Sequence, residues 1–459
     1  TYRLATNAFT FCLAAVYVSA FTSLGVQILG LIGENGILPV AKFWAGTSDA
    51  ALQGVCWAGA ALALAAPFTG RAAPLFYAGL WGLYFSLYRA SGLFLGYQWD
   101  ILLLEVGFLA VFVVGSRGVH PPRAGLWAMR WLLFRLMLLS GAVKLLSNDK
   151  MWWDLTALTL HYETQPLPTR FAWHAHQLPL WIQKTSVLLM FGIELILPFF
   201  AFGPRRIRLL SAAGILMLMS LILLTGNYTF FNFLTASLCL FLFDDAWLAS
   251  WLPKRKFAQG KPAGVLRRRL SWVLAAFVAV VGGSQLLLRF VPKTRSFAAL
   301  QSAAVAGYRY HMVNTYGLFA VMTTVRREIV LEGSADGRNW KAYEFKWKPG
   351  SLERVPGWVQ PHQPRLDWQM WFASLASYKR NPWYFHFQRR ILQGQPEVLA
   401  LLANNPFPEK PPKYLRSLFY RYRFTSSGSD AWWSRKALGL YAPMTTLTED
   451  GRIGLIMPK

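Results

Sequence analysis

Residues 205–229 read RRIRLLSAAGILMLMSLILLTGNYT, a basic start followed by an uncharged apolar block at 209–224. An α-helix rises about 1.5 Å per residue, so a block of this kind approaches the length needed to cross the hydrocarbon core of a bilayer. Arginine at one end of such a block is typical of the cytoplasmic flank of a transmembrane helix. The stretch therefore predicts a membrane span.

Similar apolar blocks recur through the first 290 residues of this 459-residue chain, in which 54% of residues are hydrophobic. The composition is too apolar for a series of soluble domains. We therefore predict an α-helical polytopic membrane protein, with a transmembrane domain at residues 1–290. About nine spans are expected, at residues 9–32, 50–68, 75–95, 101–114, 126–146, 185–202, 209–224, 230–243 and 272–290. The first block is too long for the apolar part of a signal peptide and predicts a true first helix.

Basic residues mark alternate short loops, which is the pattern of cytoplasmic loops in membrane proteins. They are Arg3, Arg71, Arg117, Arg123, Arg205, Arg206, Arg208, Lys254, Arg255, Lys256, Lys261 and Arg267 to Arg269. This places the N-terminus in the cytoplasm and, with an odd number of spans, everything after residue 290 on the outer side. The expected location is a bacterial inner membrane with a periplasmic C-terminal domain, or the ER membrane in a eukaryote. Basic runs beside spans indicate membrane lipids as partners and not nucleic acid.

The sequence gives no metal or redox signature. Cys12, Cys56 and Cys239 all fall inside predicted spans, so no disulfide framework is expected. His174 and His176 are the only closely spaced histidines, and two such residues predict no metal site. No small-molecule cofactor is identified by a motif.

After residue 290 the pattern changes to one of strands and turns. Residues 328–332 and 343–347 predict two strands joined through an Asp336-Gly337 turn. We interpret residues 291–385 as an outer-side β-rich domain of the β-sandwich type, with a helical or irregular segment at 386–459 packing on it. Aromatic and basic residues alternate at 367–373, 383–385 and 415–422. Three interpretations fit these stretches: amphipathic helices folded back on the membrane, a surface that receives a client protein, or ordinary helices packed under the sandwich.

Two regions near the outer ends of the spans are candidate functional sites. Residues 152–179 are dense in Trp, His and polar side chains, and an interfacial aromatic belt explains only the tryptophans. The candidates for client or ligand binding there are Trp152, Trp153, His174 and His176. His161 and Glu163 are candidate catalytic residues if the protein is an enzyme.

Lys144 lies near the outer end of the fifth predicted span. It either extends to the lipid headgroups or is a desolvated amine that acts as a base or holds an anion. Asp100 and Glu105 are its expected counter-charges, because ionisable groups inside membranes usually pair. Arg89 and Glu194 also fall within spans, so a polar seam through the bundle is expected.

Five segments together resemble the lipase maturation factor family, at residues 33–39, 98–105, 152–179, 225–232 and 314–319. Animal members of that family are ER membrane proteins needed for dimeric lipases such as lipoprotein lipase to fold and leave the ER. The resemblance implies a chaperone-like maturation role for an exported, lipase-like client, here in a compact, bacterial-type member. It adds Glu34, Asn35, Asn314 and Tyr316 to Asp100 and Glu105 as candidate client or ligand contacts.

A second resemblance runs through Gly141-Ala142-Val143-Lys144-Leu145, Trp153 and residues 33–39. This pattern is similar to the vitamin K-dependent carboxylases, and it implies that Lys144 deprotonates a quinol-like cofactor. Two hypotheses follow. The first is a non-enzymatic membrane maturation factor that binds its client through the outer domain and residues 152–179. The alternative is a membrane enzyme that modifies an exported protein or a lipid, so the sequence leaves enzymatic activity open.

Overall fold

The computed structural model describes residues 1–40, 47–116, 118–251 and 260–456. Arg117, Lys254, Arg255 and Lys256 of the predicted basic loops therefore lie outside the described residues.

The first part of the chain is a helical bundle. Its helices, within the described residues, are α1 (Arg3–Gly25), α2 (Ile28–Ile32), α3 (Asp49–Ala65), α4 (Ala73–Ser91), α5 (Gln98–Val113), α6 (Arg123–Leu146), α7 (Lys150–Trp153), α8 (Leu158–Thr164), α9 (Arg170–His176), α10 (Leu180–Phe191), α11 (Arg205–Thr225), α12 (Phe231–Cys239), α13 (Asp245–Ser250) and α14 (Val265–Phe290). A π-helical turn at Gly192–Ile196 and a 3-10 segment at Leu197–Phe202 extend α10.

Six helical segments of the described chain are long and apolar enough to cross a membrane: Arg3–Gly25, Asp49–Phe68, Arg123–Leu146, Leu180–Phe202, Arg205–Thr225 and Val265–Phe290. A polytopic helical membrane protein is thus supported, whereas the expected nine spans are not confirmed. The three remaining predicted spans are helical but weaker. Helix α5 and the apolar segment Phe231–Leu242 are short, and α4 contains Arg89 and three tyrosines. The first span is also displaced from its expected position at 9–32, because α1 covers Arg3–Gly25.

The C-terminal part combines helices with one antiparallel sheet. The helices are α15 (Ala298–Ala306), α16 (Arg365–Ser374), α17 (Trp383–Leu392) and α18 (Pro396–Leu399), and the strands are β1 (Arg326–Ser334), β2 (Lys341–Tyr343), β3 (Tyr414–Phe424), β4 (Trp433–Leu447) and β5 (Ile453–Ile456). The strand order is β2-β1-β3-β4-β5.

The predicted hairpin is present, because β1 pairs with β2 and places Leu331 opposite Tyr343. Its turn is closed by the Asp336 carboxylate, which accepts hydrogen bonds from the backbone N–H groups of Arg338 and Asn339, each at 2.8 Å. The expected helices at 367–373 and 383–385 are also confirmed, as parts of α16 and α17.

Three expectations about the C-terminal part were wrong. Residues 415–422 lie in strand β3, and the described part of the segment 386–459 supplies three of the five strands instead of being helical or irregular. The described residues also contain one sheet and not the two of a sandwich. Helix α17 covers the sheet instead, and its Tyr384 and Gln388 side chains bond to the Ser417 hydroxyl at 2.8 Å. In a strand, alternating aromatic and basic residues put alternate side chains on that helix-covered face.

Buried polar groups attach the C-terminal part to the helical bundle. Arg365, the first residue of α16, places its guanidinium nitrogens 3.0 and 3.1 Å from the carboxylate oxygens of Asp100 on α5. The Tyr84 hydroxyl donates to the same carboxylate at 2.5 Å. Both members of the ion pair are fully buried. Gln27, just after α1, accepts from the Arg365 backbone N–H at 2.9 Å and donates to the Gln363 carbonyl at 2.8 Å.

We predict that Arg365→Gln destabilises the protein by about 3–5 kcal/mol, because the Asp100 charge stays buried without its partner. The change should appear as a lower melting temperature of the detergent-purified protein. The double variant Arg365→Gln with Asp100→Asn removes both charges and should recover part of this loss.

Arg452→Gln serves as the control, since the Arg452 and Asp450 side chains of that ion pair are 83% and 58% exposed. Its melting temperature should match the wild type. Equal melting temperatures for Arg365→Gln and Arg452→Gln would contradict the role given to the buried pair.

Candidate functional site

Lys144 is buried in the last turn of α6 and is already paired. Its Nζ lies 2.7 Å from a carboxylate oxygen of Glu194 and 2.9 Å from the Ser140 carbonyl oxygen. The Trp152 ring lies beside the amine, with its centroid 5.4 Å from Nζ. The prediction that Asp100 and Glu105 are the counter-charges of Lys144 was wrong, because its partner is Glu194 from the π-helical turn.

The close approach of α6 to this turn depends on Gly141. A Cβ at that position would lie 2.9 Å from the Glu194 Cβ and 2.7 Å from a Leu195 methyl carbon. Only glycine therefore lets the two segments come close enough for the Lys144–Glu194 pair to form.

Glu105 instead organises a second buried cluster. Its carboxylate pairs with Arg135 on α6 and accepts hydrogen bonds from the Asn314 backbone N–H at 2.8 Å and the Tyr316 hydroxyl at 2.7 Å. Asn314 and Tyr316 are both buried. Three of the predicted site residues are thus brought together here, and they hold the segment after α15 against α5.

His161 on α8 lies between these clusters and the C-terminal part. Its Nε2 is 3.2 Å from the Tyr228 hydroxyl, and its ring meets the edge of Phe319 with centroids 4.7 Å apart. Burial, and then the positive charge of Lys144, lowers the pKa of His161 to about 4. The neutral form of the imidazole is therefore favoured at pH 7.

Glu163 faces the sheet. Its Oε2 accepts from the Phe424 backbone N–H at 3.0 Å and lies 3.9 Å from His176 Nε2. Burial lowers the pKa of His176, and the Glu163 charge opposes that effect. Glu163 thus fixes α8 to the end of β3. Among the described residues, no hydrogen bond joins any two of the predicted catalytic residues Lys144, His161 and Glu163.

Arg326 is the residue that sequence reasoning missed. It is buried at the start of β1, and it donates to the main-chain carbonyls of Glu163 and Pro166 at 2.9 Å and to that of Gln165. It also pairs with Glu328 at 2.6 Å. Arginine in an alternating strand normally indicates a solvated face, so no sequence signal pointed to this buried contact.

The remaining predicted residues are separated. Trp152 is buried and donates from Nε1 to the Phe319 carbonyl at 3.0 Å, whereas Trp153 is 59% exposed. His174 is exposed and packs edge-on against Trp173. Far from these residues, the exposed Glu34 accepts through its main-chain carbonyl from Arg390 at 2.9 Å, and Asn35 beside it is half-buried.

The contacts of these residues hold the C-terminal part of the chain against the helical bundle. Within the described residues, no three His, Cys, Asp or Glu side chains are grouped as a metal site. The buried charges near Lys144, Glu105 and Asp100 are each neutralised by a partner.

Comparisons with known proteins agree with this two-part organisation. The family model described as the lipase maturation factor transmembrane domain matches residues 4–48 and 41–250, and the lipase maturation factor C-terminal domain matches residues 312–443. No solved structure matches the chain. These findings give no support to the carboxylase-like alternative.

Full-length relatives lead to the same assignment. Lipase maturation factor 2 of Xenopus laevis is 34% identical over 98% of this chain and 83% of its own length. Lipase maturation factor 2 of Mus musculus is 35% identical over 95% of the chain and 82% of its length. Lipase maturation factor 1 of Homo sapiens is 33% identical over 95% of the chain and 87% of its length. Since domain models and relatives cover both the bundle and the sheet, the chain belongs to the lipase maturation factor family.

Proposed function

We propose that this protein is a membrane-embedded maturation factor that assists the folding or export of a secreted lipase. The client would bind a surface formed jointly by residues 147–179 and the C-terminal sheet. The observation that carries this proposal is the buried attachment of residues 147–179 to the sheet. This attachment joins the two regions that are expected to bind the client, the outer domain and residues 152–179, in one packed unit.

Several hydrogen bonds besides those of Arg326 make this attachment. Trp371 on α16 donates to the Thr164 carbonyl at 2.9 Å. Trp173 and Gln177 donate to Thr425, at 3.3 Å to its hydroxyl and 3.0 Å to its carbonyl. Unmet polar groups at such a contact would be costly, so the two parts stay together once they are packed.

The joint surface exposes large apolar side chains. Trp153 is 59% exposed, Phe171 50% and Trp358 45%. Exposed aromatic residues are the usual anchors of protein interfaces, and an incompletely folded client presents apolar segments that match them. Aromatic residues at membrane-interface depth also bind headgroups, so the test has to measure client binding directly.

The same geometry supports the orientation that basic loops predict. Arg205 and Arg208 pair with Asp244, and the neighbouring Asp245 accepts from the N-terminal residues Thr1 and Leu4, so these basic segments meet at one end of the bundle. The C-terminal part contacts the opposite ends of α1 and α5. We therefore place the C-terminal part on the non-cytoplasmic side of the membrane.

We predict that Trp153→Ala combined with Phe171→Ala weakens client binding about tenfold or more, because it removes two aromatic anchors. The measurement is the yield of active secreted lipase in cells that depend on this protein, together with photo-crosslinking to the newly made lipase from position 358, which is exposed and which the variant does not alter. Trp251→Ala is the matched control, since Trp251 is 75% exposed at the other end of the bundle. Equal lipase yields from the wild type, the double variant and Trp251→Ala would contradict the assignment of this surface to the client.

We predict that the Lys144–Glu194 pair is structural. Lys144→Met should destabilise the protein by about 3–5 kcal/mol, because Glu194 is left charged and buried. Adding Glu194→Gln should restore most of the melting temperature and of the lipase yield. A double variant that regains its melting temperature but not the lipase yield would show that Lys144 has a chemical role.

The orientation predicts distinct labelling of two introduced thiols. Ser429→Cys, in the connection between β3 and β4, should react in intact cells or sealed vesicles with a maleimide that reaches only the non-cytoplasmic side. Gly118→Cys, between α5 and α6, should react only after permeabilisation. Cys56 and Cys239 are buried and Cys12 lies within α1, so the variant lacking all three is the background control. The opposite labelling pattern would reverse the orientation.

A further inference from the structure

A cleft of about 1400 Å³ opens between α6 and α14 at the end of the bundle opposite the C-terminal part. Leu126 and Arg130 of α6 and Ala275 and Ala279 of α14 line it, so it runs along several turns of both helices. Its volume exceeds the roughly 300–1000 Å³ of ordinary small-molecule sites. It shares no residue with the proposed client surface.

The charged side chains of this cleft all have the same sign. Arg123, Arg130 and Arg268 line it, and its described lining residues include no Asp or Glu. None of these arginines forms a salt bridge with another described residue. The cleft is therefore an anion-binding environment without an internal counter-charge.

Arg130 has a donor available for such an anion. Its Nε donates to the Phe241 carbonyl at 2.9 Å, and its guanidinium lies over the Tyr2 ring at 4.8 Å from the centroid. These contacts orient the side chain, yet its buried Nη2 has no hydrogen-bond partner among the described residues. A buried donor of a charged group is costly to leave unpaired, and a phosphate oxygen would satisfy it.

The other half of the cleft is apolar. Trp127 and the 65% exposed Trp272 flank it, and three alanines of α14 line its wall, namely Ala275, Ala276 and Ala279. Because these side chains are single methyl groups, the groove along α14 has space for an extended chain. A ligand that fits both halves carries an anionic head and an apolar tail.

We propose that the cleft binds one anionic phospholipid, with its phosphate among the three arginines and an acyl chain along the alanines. A zwitterionic lipid would bring an ammonium group to a cleft without a carboxylate to receive it. A soluble phosphate compound would leave the apolar wall without a partner. An anionic phospholipid satisfies both halves.

The test uses the full chain, purified in detergent, and native mass spectrometry of bound lipid. Dioleoylphosphatidylglycerol should remain bound at one copy per chain, and dioleoylphosphatidylcholine should be lost. Combining Arg123→Gln with Arg268→Gln should weaken retention by about fivefold per arginine. Ala276→Trp should abolish retention by filling the apolar half.

Two variants on α14 are matched controls. Arg289→Gln removes an exposed arginine at the far end of the helix, and Val280→Trp adds the same bulk at an exposed position that does not line the cleft. Both should retain the phosphatidylglycerol. Equal retention of the two lipids, or equal loss in the control variants, would overturn the proposal. Displacement of the lipid by millimolar inorganic phosphate alone would also overturn it, in favour of a soluble phosphate ligand.

Discussion

The need to neutralise every buried charge at the junction of bundle and sheet shapes the rest of this protein. Asp100 and Glu105 lie on the same helix, α5, and both are fully buried. A carboxylate in such a place is tolerated only when a partner and further hydrogen bonds compensate its desolvation. Asp100 receives Arg365 from the C-terminal part, while Glu105 receives Arg135 and the segment around Asn314. The bundle therefore completes its own electrostatics only when the C-terminal part is in place.

This requirement explains why residues 147–179 are ordered despite lying between two spans. Arg326 satisfies three carbonyls of that segment, those of Glu163, Gln165 and Pro166. Asn227 adds a further junction, since it donates to the Leu167 and Gly357 carbonyls and accepts from the Val359 N–H. The aromatic residues left outside these contacts form the surface that we assign to the client. A fixed surface next to the membrane suits the proposed role, because a secreted client would meet this surface as it leaves the membrane.

The two ends of the bundle differ in how their charged side chains are paired. At the junction, the buried carboxylates of Asp100 and Glu105 each meet an arginine of the same chain. At the other end, Arg123, Arg130 and Arg268 line a cleft to which no described residue contributes a carboxylate, and an external anion is the natural complement. The same residues that orient a membrane protein by their positive charge can in this way also hold a lipid.

The sequence by itself determined the membrane class, the approximate positions of the long apolar helices, the hairpin at Asp336 and the family. These features follow from local signals, namely the length of apolar blocks, turn residues and motifs read in order. Only the tertiary structure decided the partner of Lys144, the use of residues 415–422 as a strand and the role of Arg326. A buried arginine and a solvated one look alike in a sequence, and the Lys144–Glu194 pair joins residues 50 positions apart. Which charges meet depends on how helices and strands pack, and packing is a property of the whole chain.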